Sequence, residues 1–396
     1  MDGDDVIIIG GGIHGASVAY YLSQQAKKPG SITIIERHGI AAAASGKAGG
    51  FLARDWGSDS TVELHEKGFD LHCELADKFK LASFRKGLQV LSVNGNNCLN
   101  SKRSNRRSDL APWLDGNLAS VEKLSSGAAQ VTPAELTHRF VEESKCNVII
   151  SIAEGVELDD DNNFCGIRTS SHGTINGNKL VLAAGPWTSV LISDWFGLSC
   201  PMEGIKSTSM IYNTLDKAIL DYPYAVFCEE DIQFATHLEL YPRPNGDLYV
   251  CGCGGSDHIS GDRLRKGGDS YDPADILANE ARIEASEQAL HKMTSIVDGI
   301  EPLVIQACMR PCPQDGIPIM GKVAPESING VYISCGHNCW GILWAPICGK
   351  AIAALVTNDR QDHLDLSLFS LNRFNQELHK RQRGRKKGAK DAGEEW

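Results

Sequence analysis

The stretch VIIIGGGIHGASVAYYLSQQ, residues 6–25, joins four β-branched residues to three glycines and then to a helical pattern. Gly10, Gly12 and Gly15 give the spacing G-x-G-x-x-G at this strand-to-helix junction. Glycines are needed there for a tight turn that brings the backbone close to a pyrophosphate at a helix N-terminus. The stretch therefore predicts a dinucleotide-binding unit.

The next segment supplies a second strand and an acid. SITIIE, residues 31–36, is a β-run that ends at Glu36, whose carboxylate can accept both ribose hydroxyls of an adenosine half. The same charge would repel a 2′-phosphate, which disfavours NADP. A glycine turn that binds nothing is the alternative, but the order strand, turn, helix, strand and acid favours a cofactor.

Residues 41–56, AAAASGKAGGFLARDW, are rich in small residues and glycine. Such a stretch lets the backbone approach a large planar ligand, and Ser45 can hydrogen-bond a phosphate or a ribityl hydroxyl. A surface loop would use the same residues, yet their position soon after Glu36 favours an extended dinucleotide.

The composition indicates a globular protein. Its 396 residues are 42% hydrophobic and 22% charged, which allows one large core or two smaller ones. The formal net charge of -11 disfavours nucleic acid as the main partner, because neutralising phosphates requires a basic face. The basic run KRQRGRKK begins a charged tail, residues 380–396, which we expect to be disordered.

The cysteines and the apolar runs predict the cellular compartment of the protein and whether it spans a membrane. Thirteen cysteines, an odd number without CxxC pairs, indicate a reducing, cytoplasmic compartment rather than a disulfide framework. The first apolar run, Val6–Ile9, is too short for the core of a signal peptide. No stretch reaches the ~18 uninterrupted apolar residues of a membrane helix, so no transmembrane segment is expected.

Several segments together resemble a known family. They are GGGIHG with Glu36, SGKAGG at residues 45–50, AAGPW at 183–187, MRPCPQDGIPIMG at 309–321 and GHNCWGILWAP at 336–346. The chain is similar to FAD-dependent amine and amino-acid oxidoreductases related to D-amino-acid, glycine and sarcosine oxidases. SGKAGGFLA resembles in particular a less characterised branch of FAD-dependent oxidoreductases in fungi and plants.

This resemblance implies an α/β (α+β) fold, with a Rossmann-type FAD-binding domain on a parallel sheet and a second domain on a mixed or antiparallel sheet. RPNGD, residues 243–247, lies between two β-runs and also indicates an antiparallel sheet. The expected FAD-binding domain is discontinuous, with residues 1–75, 130–200 and 300–360, and the expected substrate domain has residues 76–129 and 201–299.

The implied activity is oxidation of the C–N bond of an amino acid or secondary amine by hydride transfer to flavin N5. The electrons would pass to O2 or to another acceptor. Two alternatives stay open: an FAD-dependent 2-hydroxy-acid dehydrogenase, and a non-catalytic flavoprotein that FAD stabilises for a role in assembly or trafficking.

Two further segments are expected to border the cofactor. KLVLAAGPW, residues 179–187, is typical of a buried strand, and the resemblance places its small residues beside FAD and Val156 near the adenine. ISCGHNCWG, residues 333–341, precedes a helix whose positive end would stabilise negative charge on the flavin. His337 either touches the flavin or satisfies backbone groups at a turn. The predicted cofactor-binding residues are Gly10, Gly12, Ile13, His14, Gly15, Glu36, Arg37, Ser45, Gly46, Lys47, Ala48, Gly49, Gly50, Val156, Ala184, Gly185, Trp187, Arg310, Gly336, His337, Gly341 and Ile342.

Arg310 is the predicted anchor of the substrate. A guanidinium can bind a carboxylate through two parallel hydrogen bonds, and the resemblance implies this role for an arginine before a proline. An ion pair with Asp315 is the structural alternative. Lys47 is the second catalytic candidate, since related oxidases activate oxygen with a lysine near flavin N5; Lys206 is a weaker one.

Two positions depart from glycine oxidases. Cys339 replaces a second arginine, and Glu239 stands three residues before a proline, where those enzymes have a substrate-binding tyrosine. A carboxylate there either prefers a substrate with an extra cationic group or faces solvent. The predicted substrate-binding residues are Arg310, Glu239, Tyr241 and Trp340.

One cysteine is a candidate for covalent attachment of the cofactor. Cys308 stands seven residues before Asp315, as does the cysteine that sarcosine oxidases link to FAD. A buried core cysteine and non-covalent FAD are favoured. We predict no metal site. The cysteines at 308, 312, 335 and 339 lie in or beside the segments that match the flavin-binding motifs.

Overall fold

The computed structural model describes residues 4–25, 30–95, 109–116, 118–214, 216–323, 328–358 and 364–374. The charged tail predicted for residues 380–396 lies outside these ranges. The strands are β1 (Val6–Ile9), β2 (Ile32–Glu36), β3 (Phe51–Ala53), β4 (Arg85–Asn94), β5 (Ser120–Gln130), β6 (Asn147–Ile150), β7 (Ala153–Leu158), β8 (Phe164–Thr169), β9 (Gly173–Asn176), β10 (Lys179–Leu182), β11 (Met202–Asn213), β12 (Tyr224–Cys228), β13 (Glu239–Pro242), β14 (Asp247–Cys251), β15 (Asp257–Ile259), β16 (Val304–Pro313), β17 (Ile319–Lys322) and β18 (Val331–Cys335). The α-helices are α1 (Ile13–Ser23), α2 (Ala44–Lys47), α3 (Val62–Phe79), α4 (Pro133–Ser144), α5 (Thr188–Phe196), α6 (Lys217–Asp221), α7 (Gly261–Leu264), α8 (Glu280–Met293) and α9 (Gly341–Val356).

The first sheet has the order β17-β18-β10-β1-β2-β6, and only its edge strand β17 runs antiparallel. All four residues of β1 are buried. Val6 and Ile8 pack into one hydrophobic cluster and Ile7 and Ile9 into another, because successive side chains point to opposite faces of a strand. Both faces are covered, which explains why the strand is a continuous apolar run.

The second sheet has nine strands, in the order β15-β11-β14-β13-β12-β4-β5-β3, with β16 also paired to β11. It is mostly antiparallel, with one parallel pair between β4 and β12. The two sheets confirm the predicted fold. Strands β3 and β16 come from the ranges assigned to the FAD-binding domain, 1–75 and 300–360, yet they pair within the second sheet.

A small third sheet, β7-β8-β9, lies beside the first. Its β7–β8 hairpin turns through the acidic segment, where Asp159 accepts hydrogen bonds from the amides of Asp161 and Asn163. The side chain therefore stabilises the turn in which it stands.

Helix α9 is the core helix of the first layer. The segment Asn338–Val356 is long and apolar enough to cross a membrane by composition, but most of it is buried inside the protein. It packs on α1 so closely that a Cβ on Gly349 would lie 2.8 Å from the carbonyl carbon of Ser17. The Ser17 hydroxyl donates a hydrogen bond of 2.8 Å to the carbonyl of Ala345 and joins the two helices.

We expect Gly349→Val to lower the free energy of unfolding by about 3 kcal/mol, because the added atoms overlap the backbone of α1. Urea unfolding followed by circular dichroism measures the change. Gly39→Val is the matched control, since nothing lies within 4 Å of a Cβ there, and it should change stability by under about 0.5 kcal/mol. Equal stability of the two variants would contradict the close packing.

Candidate active site

One cavity of about 1000 Å³ runs from the carboxyl ends of β1 and β2 to the face of the second sheet. Ligands of open α/β sheets bind at this edge, where the strand order reverses. Most of the predicted site residues meet here. Those that line the cavity are Gly10, Gly12, Ile13, His14, Glu36, Arg37, Ser45, Ala48, Gly49, Gly50, Ala184, Gly185, Trp187, Glu239, Tyr241, Cys308, Arg310, His337, Trp340, Gly341 and Ile342.

The glycine turn after β1 forms one end of the cavity. Gly10 has a φ of 109°, and a Cβ on it would lie 2.5 Å from the carbonyl oxygen of Ala183, so only glycine fits. The Glu36 carboxylate accepts hydrogen bonds from the amides of Gly11 (2.7 Å) and His38 (3.2 Å). These bonds hold an acceptor at the end of β2, where a ribose is expected.

The N-terminus of α1 opens onto the same space. Gly12 is its N-cap and gives no side-chain cap, so the positive end of the helix faces the cavity. Ser45 approaches from α2 and accepts the amide proton of Ile13 at 2.8 Å. Its hydroxyl proton remains able to donate to a ligand.

The loop between α7 and α8 borders this end of the cavity. Trp187 donates its indole proton to the carbonyl of Ser270 at 3.1 Å. The guanidinium of Arg37 lies 4.1 Å from the ring centre of Tyr271 and forms an ion pair of 3.5 Å with Asp272. Tyr271 was missed by the sequence analysis, because only the fold brings its loop to β2.

His14 and His337 stack in the middle of the cavity, with ring centres 3.4 Å apart and planes 12° from parallel. Burial lowers the pKa of His14 to about 3, although the backbone of Gly341 partly opposes this, and burial lowers the pKa of His337 well below its usual range. Among the described residues, neither ring nitrogen of His337 has a hydrogen-bond partner. His337 therefore does not satisfy backbone groups at its turn, and its neutral ring is available to a ligand.

The same pair, with Cys348, could in principle hold a metal, because the ligand atoms lie within 4.8 Å of one another. The lone pairs of imidazoles lie in their ring planes. In two stacked rings these lone pairs run side by side and do not converge on one ion, unlike in a tetrahedral site. The arrangement suits a planar organic ligand better than a metal.

The N-terminus of α9 forms the far end of the cofactor region. Trp340, its N-cap, gives no side-chain cap, and Gly341 and Ile342 line the cavity. Buried His72 of α3 fixes this turn by donating to the carbonyl of Ile342 at 2.9 Å. The helix therefore presents backbone donors and a positive end to a ligand.

Arg310 of β16 lines the cavity, and its buried Nε atom has no hydrogen-bond partner among the described residues. The alternative pairing with Asp315 does not occur. Asp315 instead binds Arg373 through two contacts of 2.6 and 3.0 Å. Arg310 is thus left with donors that face the cavity.

Glu239 of β13 lines the same cavity and is half-buried. Its Oε2 atom accepts hydrogen bonds from the Tyr241 hydroxyl and from the Cys251 thiol, the latter at 3.4 Å. Burial and the charge of Glu239 raise the pKa of Tyr241 well above its usual range, which keeps the phenol a donor. Aromatic rings form the wall around this part of the cavity: Phe51, Trp56, Phe227, Tyr241, Tyr249 and Trp340.

Cys308 also lines the cavity, beside Arg310. Burial raises the pKa of its thiol, while the charges of Lys47 and Arg310 oppose the shift. Covalent attachment requires the thiolate, so non-covalent binding of the cofactor stays the favoured prediction.

Five predicted site residues do not line the cavity: Gly15, Gly46, Lys47, Val156 and Gly336. The Lys47 ammonium donates to the carbonyl of Ala307 at 3.0 Å, and Val156 packs into the apolar cluster under β7. Ser151, Ile152 and Ala153 line the cavity in place of Val156. The weaker candidate, Lys206, pairs with Asp257 at 3.7 Å.

The three glycines among these five serve packing and turns. A Cβ on Gly15 would lie 2.0 Å from the carbonyl oxygen of Gly10, and one on Gly46 would lie 2.1 Å from that of Ala41. Gly336 has a φ of 74°, which favours glycine. These glycines therefore affect the shape of the cofactor region without lining the cavity.

Known proteins resemble the chain over nearly its whole length. The family model described as FAD dependent oxidoreductase (DAO) matches residues 5–355. A Schizosaccharomyces pombe protein that carries only the general name of an oxidoreductase is 27% identical over 402 residues, covering 92% of this chain and 97% of its own. A glycine oxidase of Bacillus licheniformis is 24% identical over 392 residues, covering 89% and 92%. The crystal structure of L-proline dehydrogenase from P. horikoshii shares the fold, with a TM-score of 0.74, 17% identity and coverage of 95% and 99%.

Buried His72 predicts a pH dependence of stability. Burial lowers its pKa to about 4, against 6.5 in the unfolded chain, so the unfolded state binds more protons between these values. Stability is therefore present above about pH 6.5 and falls as the pH drops, by up to about 1.4 kcal/mol per pH unit for this residue. Unfolding midpoints between about pH 7 and about pH 4 should show a shallower fall for His72→Gln than for the wild type.

The control for this prediction is His291→Gln, which changes an exposed histidine paired with Asp298. It should keep the wild-type slope. A His72→Gln slope as steep as that of the wild type would show that His72 titrates normally in the folded protein.

Proposed function

Because the chain belongs to the family of FAD-dependent oxidoreductases described as DAO, we propose that it oxidises the C–N bond of an amino acid or secondary amine that is held by its carboxylate. The single observation that supports this substrate class is the Arg310 guanidinium, which lines the cavity and whose buried Nε has no hydrogen-bond partner in the described part of the chain.

The cavity fits FAD. Gly10 and Gly12 line it without side chains, and the N-terminus of α1, whose N-cap Gly12 gives no side-chain cap, is suited to a pyrophosphate. Glu36 would accept the ribose hydroxyls, Ser45 would donate to a phosphate or ribityl oxygen, and the amides of Gly341 and Ile342 would face the flavin. FAD, when bound, supplies the acceptor for the hydride that leaves the carbon next to the nitrogen.

Arg310 orients the substrate in this proposal. An unpaired guanidinium inside a protein is costly, and that cost is recovered when a ligand carboxylate binds it bidentately. The amine next to that carboxylate then lies close to the positive charge of Arg310 and between aromatic walls. Both effects disfavour the ammonium form, and a neutral amine has the lone pair that C=N bond formation requires.

The two alternative functions, a non-catalytic flavoprotein and a 2-hydroxy-acid dehydrogenase, agree with this geometry to different degrees. The non-catalytic flavoprotein predicts an Arg310–Asp315 pair and a closed cavity, and the structure has neither. A 2-hydroxy acid could also place its carboxylate on Arg310, but no specific contact favours a hydroxyl over an amine. Lys47 does not line the cavity; its ammonium donates to the carbonyl of Ala307 and gives no support for O2 as the acceptor.

The experiment is anaerobic bleaching of the flavin by a panel of carboxylates. It should include D- and L-amino acids, N-methyl amino acids and 2-hydroxy acids. Bleaching by nitrogen-containing members alone is the expected result. Bleaching by hydroxy acids alone would refute the proposal, and so would a purified protein that binds no FAD.

We expect Arg310→Ala to lower kcat/KM for the best carboxylate substrate on the order of 100-fold, mainly through KM, because the charged hydrogen bonds to the carboxylate are lost. Arg310→Lys should recover only part of this loss, since an ammonium lacks the planar fork. Steady-state and anaerobic stopped-flow kinetics measure both values.

The matched control is Arg168→Ala, which removes an exposed arginine paired with Glu157 on the small third sheet. It should leave kcat/KM unchanged. An Arg310→Ala enzyme that handles carboxylate substrates as well as the wild type would exclude Arg310 as the anchor.

A further inference from the structure

The cavity contains a second charged group whose bonding is incomplete. Both donors to Glu239, the Tyr241 hydroxyl and the Cys251 thiol, reach the same oxygen, Oε2. Among the described residues, no hydrogen bond or ion pair is made to the other oxygen, Oε1. A carboxylate can accept about four hydrogen bonds, so Glu239 retains capacity for a ligand.

Arg310 does not use this capacity. Within the described part of the chain the two residues form no ion pair, although both charges act on the Cys251 thiol. Strands β14 and β11 separate β13 from β16, and at ~4.8 Å per strand the axes of β13 and β16 lie about 14 Å apart. A guanidinium and a carboxylate thus line one cavity of about 1000 Å³ from separate strands.

The surroundings of Glu239 favour a cation. Glu229 and Glu230 follow β12, are exposed, and line the same cavity. Arg37, the other lining arginine, lies at the adenosine end and is paired with Asp272. Among the described residues that line the substrate half, the carboxylates are those of Glu229, Glu230 and Glu239, and the guanidinium is that of Arg310. The aromatic faces there can also bind a cation.

The reacting amine is a poor partner for Glu239. It lies next to the carboxylate that Arg310 would bind, and a second carboxylate beside it would hold it in the ammonium form. An ammonium has no lone pair with which to form the C=N bond as the hydride leaves the adjacent carbon. The group that meets Glu239 must then be a different nitrogen, farther along the molecule.

We propose that the substrate carries a second, cationic nitrogen beyond the one that is oxidised, and that Glu239 binds it while Arg310 binds the carboxylate. This inference rests on the proposed function for its reaction, but the recognition of two opposite charges stands on the geometry of the cavity alone. Glu239 is accordingly a specificity-determining residue.

The first test compares substrates that differ only in a terminal charge. Lysine against norleucine, and ornithine against norvaline, in both enantiomers, are mixed anaerobically with the FAD-loaded enzyme, and flavin reduction is followed. We expect kred/Kd to be at least about 10-fold higher for the charged member of a pair, and this ratio to fall toward unity in Glu239→Gln. Equal values for the two members in the wild type would overturn the inference.

Glu287→Gln is the matched control for Glu239→Gln. Glu287 is also half-buried and accepts a tyrosine hydroxyl, that of Tyr212 at 3.3 Å, but it does not line the cavity. Its substitution should preserve the wild-type ratio. A Glu239→Gln enzyme that keeps the preference for charged substrates would refute the role of Glu239.

The second test requires no turnover, so it separates this inference from the proposed function. Aminocaproate and caproate both lack a nitrogen next to the carboxylate and differ only in the terminal ammonium. Perturbation of the flavin spectrum should give a Kd at least about 10-fold lower for aminocaproate, and Glu239→Gln should remove the difference. Equal Kd values for aminocaproate and caproate would refute the inference even if amino acids are oxidised. A lower Kd for aminocaproate, together with no flavin bleaching by any member of the carboxylate panel, would refute the proposed function and leave two-charge recognition supported.

Discussion

The close approach of backbone to backbone after β1 is the constraint on which the site depends. Side chains are excluded at Gly10 by the carbonyl of Ala183 and at Gly15 by the carbonyl of Gly10 itself. Without Cβ atoms at these two positions, α1 starts close to the sheet edge and its positive end opens onto the cavity. The packing of α9 on α1 through Gly349 then sets where the second helix N-terminus lies.

The sequence predicts the elements whose signals are local. Val6–Ile9 is buried on both faces and is therefore continuously apolar, and Glu36 closes β2 as its pattern indicates. Sheet membership is harder to predict, because it is decided by partners far along the chain. β16 follows the FAD-domain pattern in sequence, but its ten-residue register with β11 places it in the second sheet.

The site residues divide in the same way, into those with a local signal and those whose role depends on partners far along the chain. Arg310 could be proposed because it places a charge in an apolar segment, and Glu239 because it departs from the residue that the resembling glycine oxidases have at that position. Whether Arg310 pairs with Asp315 was undecidable, since the competing partner Arg373 lies 58 residues away from Asp315. Lys47 stands in a glycine-rich segment typical of a cofactor site, yet the one-turn helix α2 directs its side chain to Ala307.

Arg310, His337 and Glu239 have the same kind of energetic cost. Among the described residues, Arg310 and His337 have buried nitrogen atoms without partners, and one oxygen of Glu239 accepts no hydrogen bond, although such groups reduce stability. A protein selected for stability alone would pair them with one another, as it pairs Asp315 with Arg373. Arg310 and Glu239 stand on separate strands and form no ion pair among the described residues. In the proposed function, the cost of burying their charges is offset when a molecule with complementary charges binds to both.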